Sequence, residues 1–563
     1  MKKILALLLA VVMIFGVTAC GSTEAGGNNS EFEVPAEKWD GSLPLVQEGE
    51  DNVITIAINT SPNVLDYDTN AYTLWIEEQT GVDIEFVQFA GKAGDVATQL
   101  SLMMAGGEKL PDILMCGSAI DQITGVEYGL DGYFIDLKPY FEHYSYYFKE
   151  AFLNIFEGDT EAYDTIMKLA HDPSGEHIYA FPEFQEIPLD TPETHPWINQ
   201  VWLDKLGLTA PTTVEELYDV LVAFRDNDPN GNGLKDELPL TGKVTGFNNI
   251  EGFLINAFVN YDDDAHFNVT DGKLWTPYNT DEYREALKYI NKLVSEGLMP
   301  TLVWTQSTSE LKALINPDGD FTCGIIAGHA DSNFQAEHDS IREYEPLMPL
   351  KDATGSGRGG YAPMNYHSLA FRTYITADCE NPVLAFKLLD FMNCEESFMR
   401  MRWGEYGVDW EWAEPGQPGN MGGEAKFVKL TPNVWSAQNN SCWHYIRSVA
   451  SEEHWQYVVD NTDPDNWDSV RASKLLKNYN NYVSVGMPEE VYYFGIFTPE
   501  ENDRLVDFQS DLTEFIKTSR AEFATGVKNP NNDADWQTYL DGLNSLNYDE
   551  WIEIAQQGYD RMK

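Results

Sequence analysis

Val53-Ile54-Thr55-Ile56-Ala57-Ile58, broken at once by Asn59-Thr60-Ser61-Pro62-Asn63, is a β-branched run that delivers a polar loop, as a buried strand and its end would read. A helical stretch bearing Trp75 and Ile76 follows, and then the alternating strand Val82-Asp83-Ile84-Glu85-Phe86-Val87. A second helix through Gln99 to Ala105 ends on Gly106-Gly107, and Pro111-Asp112-Ile113-Leu114-Met115-Cys116 gives a third strand. This βαβαβ order predicts an open parallel sheet with helices on its faces. In such sheets ligands sit beyond the carboxyl ends of the strands, so Asn59, Ser61 and Asp121 are expected at a cleft. Helix capping is the plain alternative for each.

Further along, His177-Ile178-Tyr179-Ala180-Phe181-Pro182 reads as a strand leaving this first domain. Trp197 to Leu208 then reads as a strand and a short helix ended by Gly207, a residue suited to left-handed termination. Thr213 and Glu216 have capping-box spacing at the head of a helix that runs to Phe224. That helix feeds Asp226-Asn227-Asp228-Pro229-Asn230-Gly231-Asn232-Gly233-Leu234-Lys235-Asp236-Glu237, where oxygen-bearing side chains recur every second residue around two glycines. A hard cation such as calcium takes several oxygen ligands, so its loop must keep turning.

Two registers fit. Counted from Asp226, the loop satisfies the EF-hand pattern, with Asp228, Asn230, Gly231 and a terminal Glu237. Counted from Asp228, the ligands are Asp228, Asn230, Asn232, the carbonyl of Leu234, Asp236 and Glu237. The second register is preferred, because an EF-hand needs a helix after its loop and Leu238-Pro239-Leu240 cannot continue one. With no catalytic base nearby, such a site reads as a structural staple; a solvated Asn/Gly turn that binds nothing is the alternative.

Beyond the loop, Asp281 to Glu296 has the apolar spacing of a helix, Phe321 to Gly328 that of a strand, and Pro382 to Phe391 a helix with an Ala385-Leu388-Leu389 stripe. The glycines of Gly355 to Gly360 lack the spacings of nucleotide-binding loops and read as a surface loop. The tail from about residue 425 is polar and aromatic and is expected to be helical.

A length of 563 residues implies two or three domains. With 36 Lys and Arg against 91 Asp and Glu, the net charge of -55 makes nucleic acid a poor partner, since phosphate binding relies on clustered basic residues. Met1-Lys2-Lys3 and the apolar run Ile4 to Val17 form a secretory leader, shorter than the ~20 apolar residues of a spanning helix. Cys116, Cys323, Cys379, Cys394 and Cys442 form no CxxC or Cys/His cluster and read as buried thiols, Cys379 with Cys394 being the one pairing worth testing. Ten scattered histidines, His143, His329 and His454 among them, read as surface or packing residues. No Ser/His/Asp or HExxH signature is present, so no catalytic residue is assigned and no enzyme is expected.

The leader ends at Val17-Thr18-Ala19-Cys20, which resembles the lipobox of bacterial lipoproteins, where the cut falls before the Cys and the sulfur carries the lipid. Gly21 to Ser30 has the composition of a flexible tether. Together with the strand-helix ending in Asp204-Lys205-Leu206-Gly207-Leu208, the Asp228 to Glu237 loop, Cys379-Glu380-Asn381-Pro382 with Leu388 to Met392, and Tyr406-Gly407-Val408-Asp409-Trp410, the chain resembles the lipid-anchored extracellular solute-binding proteins of bacterial carbohydrate ABC transporters, in their large calcium-containing branch.

The resemblance implies an α/β, two-lobed periplasmic-binding-protein-like fold, each lobe an open sheet flanked by helices, with the ligand cleft between the lobes. It divides the chain into a signal peptide (1–19), a lipidated Cys and tether (20–48), lobe 1 (49–182, with a returning segment around 340–375), lobe 2 with the calcium loop (183–335), and helical segments completing both lobes (376–563). It implies a membrane-anchored, monomeric protein on the extracellular face that hands a sugar to permease subunits, with calcium as a structural cofactor. The family strand often carries Arg where this chain has Asn199, which points to a neutral sugar. Pyranose faces stack on indoles and their hydroxyls need amide or carboxylate partners, so Trp304, Trp403 and Trp410 are expected to stack, with Asn59, Asp121 and Asn199 hydrogen-bonding. A peptide-binding lipoprotein of the same fold is the alternative, and a surface-anchored glycoside hydrolase a more distant one.

Overall fold

The computed structural model describes residues 33–562, apart from the segments 316–321, 335–339, 352–366, 460–465 and 487–489 and a few one- or two-residue positions elsewhere. Cys20, the leader and the Gly355 to Gly360 loop therefore lie outside the described residues. In chain order the strands are β1 Val53–Asn59, β2 Asp83–Phe89, β3 Ile113–Met115, β4 Ala180–Glu186, β5 Pro196–Asn199, β6 Leu238–Thr241 and β7 Asn268–Thr270. They continue as β8 Lys273–Trp275, β9 Cys323–Ala327, β10 Tyr344–Pro346, β11 His367–Ile375, β12 Trp410–Trp412, β13 Phe427–Lys429 and β14 Val449–Ala450.

Two larger sheets define two lobes. The first has the order β14-β4-β11-β3-β1-β2, the second β10-β5-β9-β6. As the βαβαβ pattern predicts, β1 pairs in parallel with β2 and β3, Ile54 opposite Ile84 and Ile56 opposite Ile113. The β-branched residues of β1 serve a strand covered on both faces: Ile54, Ile56 and Ile58 are all sealed in the core. Lobe 2 has its own core, to which helix Asp281–Ser295 contributes Tyr283, Ala286, Leu287, Ile290 and Leu293. Burying a Leu or Ile contributes about 1.5–3 kcal/mol each.

Several expectations need correction. The strand placed at His177 to Pro182 lies slightly later, at Ala180–Glu186, where it pairs with β11 as the last strand before the chain leaves lobe 1. In the segment expected to return to lobe 1, β10 pairs with β5 in the second sheet, and only β11 returns to the first. The tail is not helical from residue 425: β13 pairs with β12 and β14 with β4, and helix begins at Trp467–Val485. That helix packs Ala472 against Phe398 and Trp410 of lobe 1 and Leu475 against Trp197 and Tyr344 of lobe 2; the helices after it belong to lobe 2, with helix Pro499–Thr525 feeding Phe508, Leu512 and Ile516 into its core.

The pairings fix where the lobes face each other. In the first sheet β4 and β14 run with β1 to β3 and only β11 runs against them. The chain therefore leaves lobe 1 at Glu186 and re-enters it at His367 along one edge, the carboxyl edge of the parallel strands; after β14 it stays with lobe 1, Tyr457 bridging to Phe427 and Val458 to Gly419. In the second sheet Pro196 stands opposite Ala327, the end of β9, and Pro346 opposite Trp197. Both crossings thus join one carboxyl edge to the other, and the crevice between the edges is where ligands of such sheets sit.

Candidate functional site

On the lobe 1 side, β1 ends at Asn59, whose Oδ1 is buried without a hydrogen-bond partner. An orphaned carbonyl of this kind costs about 1–3 kcal/mol until a donor reaches it. Ser61 follows in the polar loop, its N–H donating to the Tyr67 hydroxyl at 3.0 Å and its own hydroxyl accepting from Asn63 N–H at 3.2 Å. Asn63 in turn reaches the carbonyl of Trp435 and accepts from Asn439 N–H at 2.8 Å, so the segment from Val434 onward lies across the end of β1.

That segment carries a run of flat side chains. The Arg402 guanidinium stands 4.3 Å from the ring centres of both Trp403 and Trp435, a cation–π bridge between two indoles. Trp435 also stacks on His444 at 5.1 Å and 29°. Tyr445 lies over Gly117, just past the end of β3, and over Arg447 at 4.4 Å. Trp403 donates its indole N–H to the carbonyl of His454 at 3.0 Å and is half-buried.

On the lobe 2 side, Gln306 donates to Thr241 and Gly242 at the end of β6, which places the Thr301–Trp304 turn at the carboxyl edge. Trp304 is half-buried, its indole N–H donating to Glu251 at 3.0 Å. Beside β5 and β9, His195, Phe247 and His329 pack ring against ring at 5.0 to 5.6 Å.

Of the other expected site residues, one caps a helix and two are sealed in packing. Asp121 caps helix Gln122–Leu130, accepting from Thr124 N–H at 2.8 Å. Asn199 caps helix Gln200–Leu206 through Trp202 N–H and is sealed beneath β10, opposite Tyr344. Trp410 is fully buried against Trp412 and Phe427, with its N–H spent on Gly404. Trp435, His444 and Tyr445 escaped sequence reasoning because their stretch was assigned to helix; its density of aromatic residues beside the amide run Gln438-Asn439-Asn440 was the available signal. The five cysteines of the folded part are all free thiols, and Cys379 and Cys394 do not pair.

The Asp228 to Glu237 loop can be tested for a cation by its donors. Asp226 is taken by Arg225, whose Nε and Nη2 hold both its oxygens at 2.8 and 3.0 Å and keep its carboxyl below the usual range. The loop runs into β6 and not into a helix. Both facts leave the register that begins at Asp228. Asp228 has φ 48°, Gly231 80° and Gly233 78°, and Asp228 accepts the N–H groups of both glycines at 2.9 and 3.0 Å. These turns need positive φ, which glycine supplies without strain.

Asn230 and Asn232 direct their amide groups at Asp236, at 3.4 and 3.2 Å, and Glu237 Oε1 is buried with no hydrogen-bond partner. Burial, then Asp228 and Asp236, push the Glu237 carboxyl up. Among the described residues no three His, Cys, Asp or Glu side chains are drawn together tightly enough to hold a metal. In this loop half of the donors are amides and a carbonyl, and the crowded carboxylates and the orphaned Glu237 oxygen are what a cation would relieve. The residues fit calcium.

Comparison with known proteins settles the family. The family model described as bacterial extracellular solute-binding protein matches residues 65–396. The chain belongs to the bacterial extracellular solute-binding proteins. This solute-binding protein is 26% identical over 559 residues to the fructooligosaccharide ABC transporter substrate-binding protein FusA of Streptococcus pneumoniae, covering 97% of this chain and 95% of that one. It is also 26% identical to the lipoprotein LipO of Bacillus subtilis, covering 93% and 92%. Among solved structures, an HMO binding, ABC-transporter associated solute-binding protein from Bifidobacterium longum infantis superposes with a TM-score of 0.72 at 22% identity, covering 90% of this chain and 98% of that one. A FusA structure described as an EF-hand mutant in complex with fructo-nystose superposes with a TM-score of 0.68 at 23% identity, covering 90% and 99%. The periplasmic-binding-protein-like fold is thus shared along nearly the whole solute-binding protein. Among its described residues no helix is long and apolar enough to cross a membrane.

Proposed function

We propose that the protein captures a neutral oligosaccharide between its lobes and presents it to the permease subunits of an ABC transporter. The observation that carries this is the flat-sided shelf at the carboxyl edge of lobe 1, Trp403 and Trp435 around Arg402 with Tyr445 beyond, next to the orphaned Asn59 carbonyl. Indole and phenol faces take the C–H faces of sugar rings, and a sugar hydroxyl supplies the donor that Asn59 lacks. Ser61 and, from the facing lobe, Trp304 complete the proposed site. The full-length similarity to a fructooligosaccharide-binding protein supports the same ligand class.

Calcium, held by Asp228, Asn230, Asn232, the Leu234 carbonyl, Asp236 and Glu237, supplies fixed charge compensation that holds the loop between its helix and β6. Cys20 carries the lipid that keeps the monomer on the outer face of the membrane; Cys20→Ala releasing it into the medium is the result expected. For the ligand, the soluble fragment from Ser22 is titrated calorimetrically with kestose, other neutral oligosaccharides and short peptides. Saturable binding of at least one neutral oligosaccharide, with a change in tryptophan fluorescence, is expected. Binding of peptides alone overturns the reading.

A further inference from the structure

Lobe 1 carries a second concavity, lined by none of the shelf residues. It has a volume of 970 Å³ and lies at the flank of the first sheet, between helix Tyr147–Ile155 and the segment after β14, with Val449 in its wall. Six glutamates line it, Glu150, Glu186, Glu395, Glu424, Glu452 and Glu453, against a single lysine, Lys426. Lys426 shows what the place can hold. Its ammonium is gripped by Glu395 at 2.5 Å and Glu453 at 3.0 Å. Glu186 and Glu452 are half-shielded neighbours, joined through the Glu452 backbone N–H to Glu186 at 3.0 Å, and no basic side chain among the described residues offsets either one. Burial raises both carboxyls, and for Glu452 the adjacent Glu186 and Glu453 add to it.

A second, independent observation comes from His454, which also lines the concavity and is only 9% exposed. Its Nδ1 accepts the Ser451 N–H at 3.1 Å, so the ring proton sits on Nε2, and Nε2 is buried with no hydrogen-bond partner. The place thus offers spare carboxylates for cations and one buried donor that needs an oxygen. A small amine answers only the first demand. An extended basic peptide answers both, with ammonium or guanidinium groups for the glutamates and a backbone carbonyl for the imidazole. We propose that this groove receives a lysine- or arginine-bearing segment of a protein partner. The location gives such a contact a use: Glu186 ends β4, so an interlobe crossing leaves from the groove wall.

The test uses the soluble fragment from Ser22 and amidated, acetylated pentalysine at about 150 mM salt, where the Debye length of about 8 Å suppresses diffuse attraction. One peptide per protein is expected, with Glu186→Gln/Glu452→Gln weakening it about tenfold, equivalent to about 1.4 kcal/mol, at an unchanged melting temperature. If that variant fails to fold, the exposed pair Glu150→Gln/Glu424→Gln takes its place with the same expectation. His454→Phe, lacking the donor, should weaken the peptide and leave spermidine unaffected. Absence of saturable peptide binding, undiminished binding by the glutamine variants, or spermidine binding equally well with the same glutamate dependence would each overturn the proposal. Oligosaccharide binding by the glutamine variants, measured alongside, stays at its original strength.

Discussion

Each lobe buries an arginine beside carboxylates, yet the two are used differently. Arg520 in lobe 2 is 3% exposed and has its Nε 2.8 Å from Glu251, though out of line for a hydrogen bond, and its Nη1 3.1 Å from Asp263, with Tyr261 close by. Arg447 in lobe 1 is 5% exposed and meets Glu183 and Thr373 through Nη1 alone; its Nε and Nη2 are buried without partners under the Tyr445 ring. The first is a closed clamp that ties the long helix Pro499–Thr525 to the helix holding Glu251. The second is left open next to the crevice. Charge in lobe 2 serves the fold, and in lobe 1 part of it is held ready for something else.

The largest effect should come from breaking the clamp. Arg520→Met strands two buried carboxylates and is expected to destabilise by about 3–5 kcal/mol, read from the denaturant midpoint. Arg447→Met strands only Glu183, whose carboxyl burial already pushes up, and should cost less. An equal cost would erase the distinction. Next is the loop of lobe 2: chelation should lower the melting temperature by the equivalent of ~4 kcal/mol at a thousandfold excess of calcium over Kd, and Asp236→Ala should abolish the response. An unchanged melt removes the cation.

Acid should then find the weak point of lobe 1. Burial pushes His454 down from 6.5 to about 4, with Lys426 lowering it further and Glu395, the Ser451 contact and Glu453 opposing. A folded value below the unfolded one means that this contribution is intact above pH 6.5 and is lost as pH falls through 4. At most about 3 kcal/mol is at stake, and His454→Gln should flatten the pH dependence of the melting temperature. The smallest effect tests the shelf: Trp435→Ala should weaken oligosaccharide binding by about 1–3 kcal/mol with little loss of stability, whereas a matched loss of stability would make Trp435 another packing residue.

What the sequence disclosed followed the range of the forces involved. β1, helix Pro382–Phe391 and the end of helix Gln200–Leu206 at Gly207 are set by neighbours within a few residues, and the letters announce them. The Asp228 to Glu237 loop is also local, and Pro239 is the letter that sets it apart from an EF-hand. Asn199 and Trp410 read as ligand contacts, one hydrogen-bonding and one stacking, but the first is sealed by Tyr344, far along the chain, and the second by Phe427. The Trp435 to Tyr445 segment becomes part of a site only because Asn439 bonds to Asn63 across hundreds of residues. No local pattern encodes that contact.

The two crossings from β4 to β5 and from β10 to β11, which leave and enter on adjacent strands of both sheets, also have a mechanical meaning. A single connecting strand would let one lobe swivel, tilt and slide against the other, whereas two placed side by side restrict sliding and twisting and leave rotation about the line on which they lie as the softest motion. Whatever stiffens one connection therefore stiffens that rotation as a whole.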